Sequence, residues 1–137
     1  MAREVEHIRF HGDALELLDQ RLLPHEEIWV RCTDASETAA AIRDMVVRGA
    51  PAIGVTAAYG LALAAHRGDD LQAARDVLMA SRPTAVNLRW ALERLSAVAP
   101  EALADEARRI HSEDIAINRA IGDHGAALLP EGARVYH

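Results

Sequence analysis

The pattern of apolar residues changes once along this chain, close to Cys32, and this change constrains the fold more than any other feature. Before it, short runs rich in Ile, Leu, Val and Trp are typical of β-strands, at residues 7–10, 14–18 and 27–32. His11-Gly12-Asp13 favours a tight turn between the first two runs. After Cys32, apolar residues recur at helical spacing to about residue 128. Strands followed by helices predict an α+β, mostly helical fold, with a small N-terminal antiparallel sheet before a helical bundle.

Capping and turn residues set the limits of the predicted helices. Asp34 with Glu37 three residues later matches a capping box, which marks the start of the first helix. That helix should end near Arg48-Gly49, because glycine readily adopts the left-handed conformation of a helix terminus. Pro51 suits the first turn of the next helix. Helices are predicted over residues 35–46, 51–66, 71–80, 86–98 and 101–128.

The last predicted helix carries a seam of residues spaced alternately by four and three. Its members are Leu103, Ala107, Ile110, Asp114, Ile117, Ile121, His124 and Leu128. Asp114 and His124 are polar, and two interpretations stay open for them. They are hydrogen-bonded residues of a core or an interface, or one of them lies near a ligand.

The charge balance argues against large anionic partners. All 15 basic residues are arginine and the formal net charge is −6, so no overall basic field would recruit nucleic acid or an acidic membrane surface. The longest apolar stretch, residues 50–65, is short and broken by glycine, and residues 1–10 lack the apolar core of a signal peptide. We therefore expect no nucleic-acid or membrane partner, and any anion site must be local.

The single cysteine, Cys32, cannot form an intramolecular disulfide, which fits a reducing compartment and predicts a cytoplasmic location. Because it lies in an apolar strand, its thiol is predicted to be buried and inert rather than nucleophilic. The seven histidines show no metal-ligand spacing, and no P-loop or Gly-x-Gly-x-x-Gly motif occurs. No cofactor is predicted.

Residues 47–55 combine a cation, a turn of small residues and a helix that begins at a proline, which is typical of an anion site. Free amides in the first helical turn point along the helix axis, where the helix dipole adds partial positive charge. Gly49 and Ala50 would let a phosphate approach the backbone, and Arg48 would add a planar fork for two of its oxygens. An alternative stays open, in which Arg48 only pairs with Asp44.

A second arginine, Arg82, precedes Pro83, so its backbone is held extended and its side chain leaves a loop. Loops on a rigid scaffold often carry binding residues, although spacing alone favours a surface arginine paired with an acid. Thr84 or Asn87 is predicted to cap the helix that follows.

Three further groups of residues receive structural roles. Close helix packing is predicted at Gly54, Ala57, Ala58 and Gly60. Solvated helical faces are predicted at Arg89, Arg94, Arg108 and Arg109. Core or domain contacts, rather than base stacking, are predicted for Trp29 and Trp90.

Four motifs together resemble the methylthioribose-1-phosphate isomerase family of methionine salvage. They lie at residues 18–24, 47–55, 82–88 and 118–126, so that the resemblance covers essentially the whole chain. Arg-Pro-Thr-Ala-Val-Asn-Leu at 82–88 favours this family over two relatives. Those relatives are the regulatory subunits of a eukaryotic translation-initiation exchange factor and the ribose-1,5-bisphosphate isomerases.

The resemblance implies a fold and an assembly. Residues 1–130 would form an N-terminal domain of sheet and helical bundle, and residues 131–137 would open the first strand of a Rossmann-like catalytic domain that this chain lacks. The full-length protein would be a homodimer. The resemblance also assigns Arg48, Gly49 and Ala50 to a substrate-binding turn, and Arg82 to a second substrate contact.

The reaction implied converts the aldose 5-methylthioribose 1-phosphate into the ketose 5-methylthioribulose 1-phosphate, without metal or nucleotide. The family's catalytic cysteine and aspartate would lie beyond His137, so no catalytic residue is assigned here and this fragment alone is expected to be inactive. Two alternatives are a ribose-1,5-bisphosphate isomerase and a non-catalytic sensor of sugar phosphates or nucleotides.

Overall fold

A computed structural model describes residues 6–136 of the chain and shows a three-stranded sheet packed against helices. The strands are β1 (Ile8–Phe10), β2 (Leu15–Leu18) and β3 (Trp29–Cys32). They are antiparallel, with β2 in the centre. Each strand starts one or two residues later than predicted, and the predicted sheet is confirmed.

The central strand holds the sheet against the helices. Leu15 and Leu17 alternate along β2, so they lie on one face, and both are fully buried. Leu17 pairs with Ile8 of β1, and Leu15 pairs with Cys32 of β3. Ile8 and Cys32 are buried as well, so all three strands contribute to one apolar face.

Helix α1 (Ala35–Arg43) begins at the predicted residue. The Asp34 carboxylate accepts a hydrogen bond from the Glu37 amide at 2.7 Å, as a capping residue should. The Thr33 hydroxyl donates to the Glu37 carboxylate at 2.7 Å. The predicted start signal is therefore confirmed, with the Glu37 side chain bonded to Thr33.

The same helix ends three residues earlier than predicted, at a left-handed methionine. Met45 has φ 65°, and its amide donates to the Ile42 carbonyl at 3.3 Å. The next amide, of Val46, donates to the Ala41 carbonyl at 3.0 Å. These two bonds define a Schellman motif, which normally has glycine at the left-handed position. The prediction that Gly49 ends this helix is wrong, because Met45 already reverses the chain.

The other helices follow in sequence order. They are α2 (Ala50–Arg67), α3 (Leu71–Ser81), α4 (Val86–Leu95) and α5 (Leu103–Ala127), with a 3₁₀ turn at Pro100–Ala102 before α5. The bounds of α2 and α3 lie within one residue of the prediction. Helix α4 ends three residues early and α5 begins two residues late, because the chain turns between Ser96 and the 3₁₀ turn.

Helix α2 is the centre of the bundle and contacts all four other helices. Residues 52–64 are all buried, so the helix has no solvent face over that length. Small residues make this possible: a Cβ at Gly60 would lie 2.8 Å from Cγ2 of Thr38 on α1. The predicted use of these small residues in close packing is confirmed.

Among residues 6–136, only the first half of α5 has side chains buried against the other elements. Leu103, Ala107 and Ile110 of the predicted seam are buried against the bundle. Further along, Ile117 and Ile121 are 57% and 63% exposed. The seam is therefore a core element in its first half and a surface stripe in its second.

After α5 the described chain has no regular secondary structure over residues 133–136, and His137 lies outside the described residues. The division at residue 130, with a strand of a further domain after it, stays a prediction. Within residues 6–136, no helix is both long enough and apolar enough to span a bilayer.

Candidate functional site

The start of α2 has the geometry expected of an anion-binding turn. Gly49 occupies the N-cap with φ 98°, a conformation that a residue with a Cβ rarely adopts. No side chain of the described residues caps this terminus, so the first-turn amides have no side-chain acceptor among them. A Cβ at Gly49 would meet no atom within 4 Å. The turn is therefore open to an approaching ligand.

Arg48 lies directly before this turn, and its side chain is exposed. Within residues 6–136 it forms no hydrogen bond and no ion pair. Asp44, the proposed alternative partner, lies 3.4 Å from Nε of Arg43 instead. The interpretation that Arg48 only pairs with Asp44 is therefore wrong, and its guanidinium is available beside the turn.

Arg82 ends α3 in an extended conformation with φ −148°, as expected of a residue before proline. It is half-buried, and its side chain makes no hydrogen bond or ion pair with any described residue. Its carbonyl accepts from the Ala85 amide at 3.0 Å, which closes the turn into α4. Helix α4 starts after Ala85 with no side-chain cap, so the predicted capping by Thr84 or Asn87 is wrong. A second uncapped helix start results.

The two uncapped starts open into one cleft of about 420 Å³. The cleft is lined by Pro51, Gly54 and Val55 of α2, by Val86, Asn87 and Trp90 of α4, and by Ile110, Glu113, Asp114 and Ile117 of α5. The motifs at residues 47–55 and 82–88 thus meet in space, although they lie far apart in the sequence. Arg48 and Arg82 are not part of the lining. Arg48 lies three residues before Pro51, and Arg82 four residues before Val86.

The main chains of α2 and α4 approach each other closely at two residues that line this cleft. A Cβ built on Gly54 would lie 2.8 Å from the carbonyl oxygen of Asn87. Cβ atoms essentially never approach other heavy atoms so closely. Glycine at position 54 therefore sets how near the starts of α2 and α4 can lie.

The acidic side of the cleft is held by Arg94, which lies outside the lining. Its Nη2 donates to Glu113 at 2.9 Å, and its Nε donates to Glu106 at 2.9 Å. The hydrogen bond from Arg94 holds the pKa of the Glu113 carboxyl below its ordinary value. Arg94 was expected on a solvated face, but its side chain is only 25% exposed and ties α4 to α5. The sequence pattern misses this role because the partners are 12 and 19 residues away.

The two polar members of the seam, Asp114 and His124, differ in how far they are buried. Asp114 is half-buried and lines the cleft, where its carboxylate accepts from the side-chain amide of Asn118 at 3.1 Å. His124 is exposed. The hydrogen-bonded interpretation holds for Asp114, and its position at the cleft is also the one expected of a residue near a ligand.

The predictions for Cys32 and for the two tryptophans have different outcomes. The predicted burial of Cys32 is confirmed, and this burial raises the pKa of its thiol to about 11, as expected of an unreactive cysteine. Trp29 is half-buried, with the Arg9 guanidinium 3.9 Å from its ring centroid. Trp90 is 50% exposed and lines the cleft, so within this chain it is not a core residue. Trp90 lies one helical turn after Val86, so both side chains point to the same side of α4. That spacing was the sequence signal available for the place of Trp90 in the cleft.

A further polar contact, which the sequence pattern does not indicate, involves the buried Tyr59 and the half-buried His111. The Tyr59 hydroxyl is 2.6 Å from Nδ1 of His111, and the Tyr59 ring stacks on Phe10 with centroids 4.4 Å apart. Burial raises the pKa of Tyr59 to about 12 and lowers the pKa of His111. The pair joins α2 to α5 and lies outside the lining of the cleft. Among residues 6–136, no group of three His, Cys, Asp or Glu could hold a metal ion.

Comparison with known proteins identifies relatives over most of the chain. Residues 46–136 match the Initiation factor 2 subunit family. A methylthioribose-1-phosphate isomerase from Alcanivorax borkumensis is 56% identical over 94% of this chain and 41% of its own length. One from Marinobacter nauticus is 53% identical over 89% of this chain and 39% of its own length. The chain therefore spans about two fifths of these relatives.

Solved structures agree with this grouping. The 5-methylthioribose 1-phosphate isomerase of Pyrococcus horikoshii superposes with a TM-score of 0.84 at 35% identity, over 91% of this chain and 41% of that one. Subunit delta of the translation initiation factor eIF-2B from A. fulgidus superposes with a TM-score of 0.75, also at 35% identity. That match covers 94% of this chain and 43% of the other. The sheet and helices described above are thus shared with both proteins.

Proposed function

Since this chain belongs to the Initiation factor 2 subunit family, we propose that it supplies the sugar-phosphate-binding part of an S-methyl-5-thioribose-1-phosphate isomerase. One observation carries the proposal. The uncapped start of α2 opens into the same cleft as the uncapped start of α4, and Arg48, which has no side-chain partner among residues 6–136, lies directly before the start of α2. The names of the relatives supply the substrate class.

The proposed site holds the phosphate by main-chain amides and arginine. Amides in the first turn of α2 donate to the phosphate oxygens, and the helix dipole adds positive charge at the same point. Gly49 leaves room above the turn. Arg48 and Arg82 then provide charge-assisted hydrogen bonds, since neither has a partner within residues 6–136.

The proposed reaction is an isomerisation, so no atom is gained or lost overall. Because the phosphate occupies the anomeric oxygen, the ring cannot open to a free aldehyde. The site must hold the phosphate while acid–base groups open the ring and move hydrogen from C2 to C1. Orientation is the contribution of this chain, and the acid–base groups, a cysteine and an aspartate, are expected in sequence beyond His137. The 137-residue chain alone is therefore proposed to lack appreciable isomerase activity.

A chimera tests the function directly. In it, this chain replaces the matching two fifths of the Alcanivorax borkumensis isomerase. Conversion of 5-methylthioribose 1-phosphate by the chimera, together with binding of the sugar by the 137-residue chain, is the expected result. A folded chimera that neither binds nor converts the sugar would contradict the proposal. Turnover by the 137-residue chain alone would contradict its proposed inactivity.

The likeness to eIF-2B subunit delta favours a second candidate, a sensor that binds a sugar phosphate or a nucleotide without reacting. The same chimera separates the two, because a sensor segment would support binding but no turnover. For the isomerase, the complete protein is proposed to be a cytoplasmic homodimer without nucleic-acid or membrane partners. Sedimentation of the complete protein tests the dimer.

A further inference from the structure

The charged residues that line the cleft have the wrong sign for an anionic ligand. Among the ten described residues of the lining, the charged ones are Glu113 and Asp114, which are both acids. Arg48 and Arg82, the cations of the proposed phosphate site, lie outside this lining. A phosphate that enters the cleft therefore meets like charge, and like charges brought together oppose binding. How the protein balances these two carboxylates decides how strongly they repel the ligand.

The two carboxylates have different partners. Both terminal nitrogens of Arg94 donate to Glu113, one to each carboxylate oxygen, which is the forked geometry of a strong arginine–carboxylate pair. The Arg94 guanidinium also lies 5.5 Å from the ring centroid of Trp90. Asp114 instead accepts from the neutral side-chain amide of Asn118. Arg94 thus compensates the charge of Glu113, whereas Asp114 receives only a neutral hydrogen bond from Asn118.

Arg94 belongs to a network in which the charges cancel. Its Nε donates to Glu106 at 2.9 Å, and Glu106 also accepts from Nη1 of Arg109 at 2.9 Å. Two arginines and two glutamates are therefore joined, with a net charge of zero. The hydrogen bond from Arg94 lowers the pKa of Glu113, so this carboxyl is ionised at neutral pH and needs a cation. Removal of Arg94 would leave one uncompensated negative charge at the cleft.

We propose that Arg94 allows an anionic ligand into the cleft by neutralising Glu113, and that it does so as a positioning residue from outside the lining. The inference rests on the proposed function and deepens it, because it explains how a cleft lined by acids accepts a phosphate. A different role for Arg94 would be to tie α4 to α5 and nothing more. The two roles differ in what matters at Glu113, which is its charge in the first role and the link itself in the second.

Two substitutions that break the same link but change the charge in opposite directions separate these roles. Titration calorimetry of the 137-residue chain with 5-methylthioribose 1-phosphate is the measurement. Arg94→Gln exposes the ligand to the Glu113 charge and should weaken binding by about 3- to 5-fold at low salt. Glu113→Gln also breaks the link but removes the negative charge, so it should not weaken binding. The double variant should bind within about 2-fold of the unsubstituted chain.

Salt and a matched arginine provide the controls. The loss caused by Arg94→Gln, relative to the unsubstituted chain at the same salt, should shrink at 1 M salt, where charges are screened within about 3 Å. Arg109→Gln removes an equal charge from the same network, but its partner Glu106 does not line the cleft. Affinity should therefore change by less than about 2-fold in Arg109→Gln.

Circular dichroism shows whether each variant is folded. If Arg94→Gln does not fold, Glu113→Gln alone decides, since a role as a mere link predicts weaker binding in that variant. Weaker binding in both single variants, or a double variant as weak as Arg94→Gln, would overturn the assignment and leave the proposed function standing. If the unsubstituted chain does not bind 5-methylthioribose 1-phosphate, the proposed function fails and the assignment fails with it.

Discussion

The main-chain carbonyl oxygen of Asn87 lies 2.8 Å from the position that a Cβ of Gly54 would occupy. Through this approach the starts of α2 and α4 border the same cleft. The atom that would be met belongs to the backbone, so it cannot move aside as a flexible side chain could. A single methyl group at position 54 must therefore displace a helix.

Gly54→Ala is expected to lower the free energy of unfolding by about 1–3 kcal/mol, the usual cost of overpacking a close contact. Urea denaturation followed by circular dichroism measures it. Gly122→Ala on α5 is the matched control, because a Cβ there would meet no atom within 4 Å. In an exposed helix this change should stabilise by roughly 0.5–1 kcal/mol. If both substitutions changed the free energy of unfolding in the same direction, the close contact between Gly54 and the Asn87 carbonyl would be contradicted.

Met45 offers the opposite experiment, since a residue with a side chain holds a left-handed conformation, φ 65°. Met45→Gly should raise the free energy of unfolding by about 1 kcal/mol, because glycine removes the clash of Cβ with the backbone. Met45→Ala keeps the Cβ and should give no such gain. The difference in thermal midpoint between these two variants isolates the backbone effect from loss of the exposed side chain.

The contact between Tyr59 and the half-buried His111 predicts how stability depends on pH. Burial lowers the pKa of His111 in the folded chain, so near its ordinary pKa the unfolded chain binds a proton more readily. Stability should be at its full value above about pH 6.5 and should fall as the pH drops through the folded-state pKa. His111→Gln, which cannot titrate, should reduce the loss of stability between about pH 7 and pH 5. His25→Gln, at an exposed histidine, is the control; equal pH dependence in both variants would contradict this origin.

Arg48→Ala should weaken sugar-phosphate binding by about 1.5–3 kcal/mol, the contribution of a charge-assisted hydrogen bond. The contact should also weaken as salt is raised, because the guanidinium is exposed. Arg43→Ala removes an equally charged side chain that lies on α1 and pairs with Asp44. It should leave affinity for 5-methylthioribose 1-phosphate unchanged. Titration calorimetry on both variants gives the comparison, and equal affinities would remove Arg48 from the site.

Local signals in the sequence were sufficient for the order of elements and for most of their starts. The Asp34 cap and the proline at the start of α2 both act within one helical turn, so they hold whatever the rest of the chain does. Gly49 was correctly identified as a special position, yet its role is to begin α2 and not to end α1. Met45 shows why: a residue with a Cβ holds the left-handed position that glycine usually occupies, so α1 ends before Gly49 is reached.

By itself, then, the sequence determined a sheet followed by a bundle, an open glycine turn before α2 and close packing of small residues along it. Only the tertiary structure decided that Trp90 faces a cleft rather than the core, that Arg94 bridges two helices, and that Asp114 lines the cleft. Propensity and capping depend on neighbours a few residues away. The cleft depends on how three helices pack, and those contacts join residues from Pro51 to Ile117.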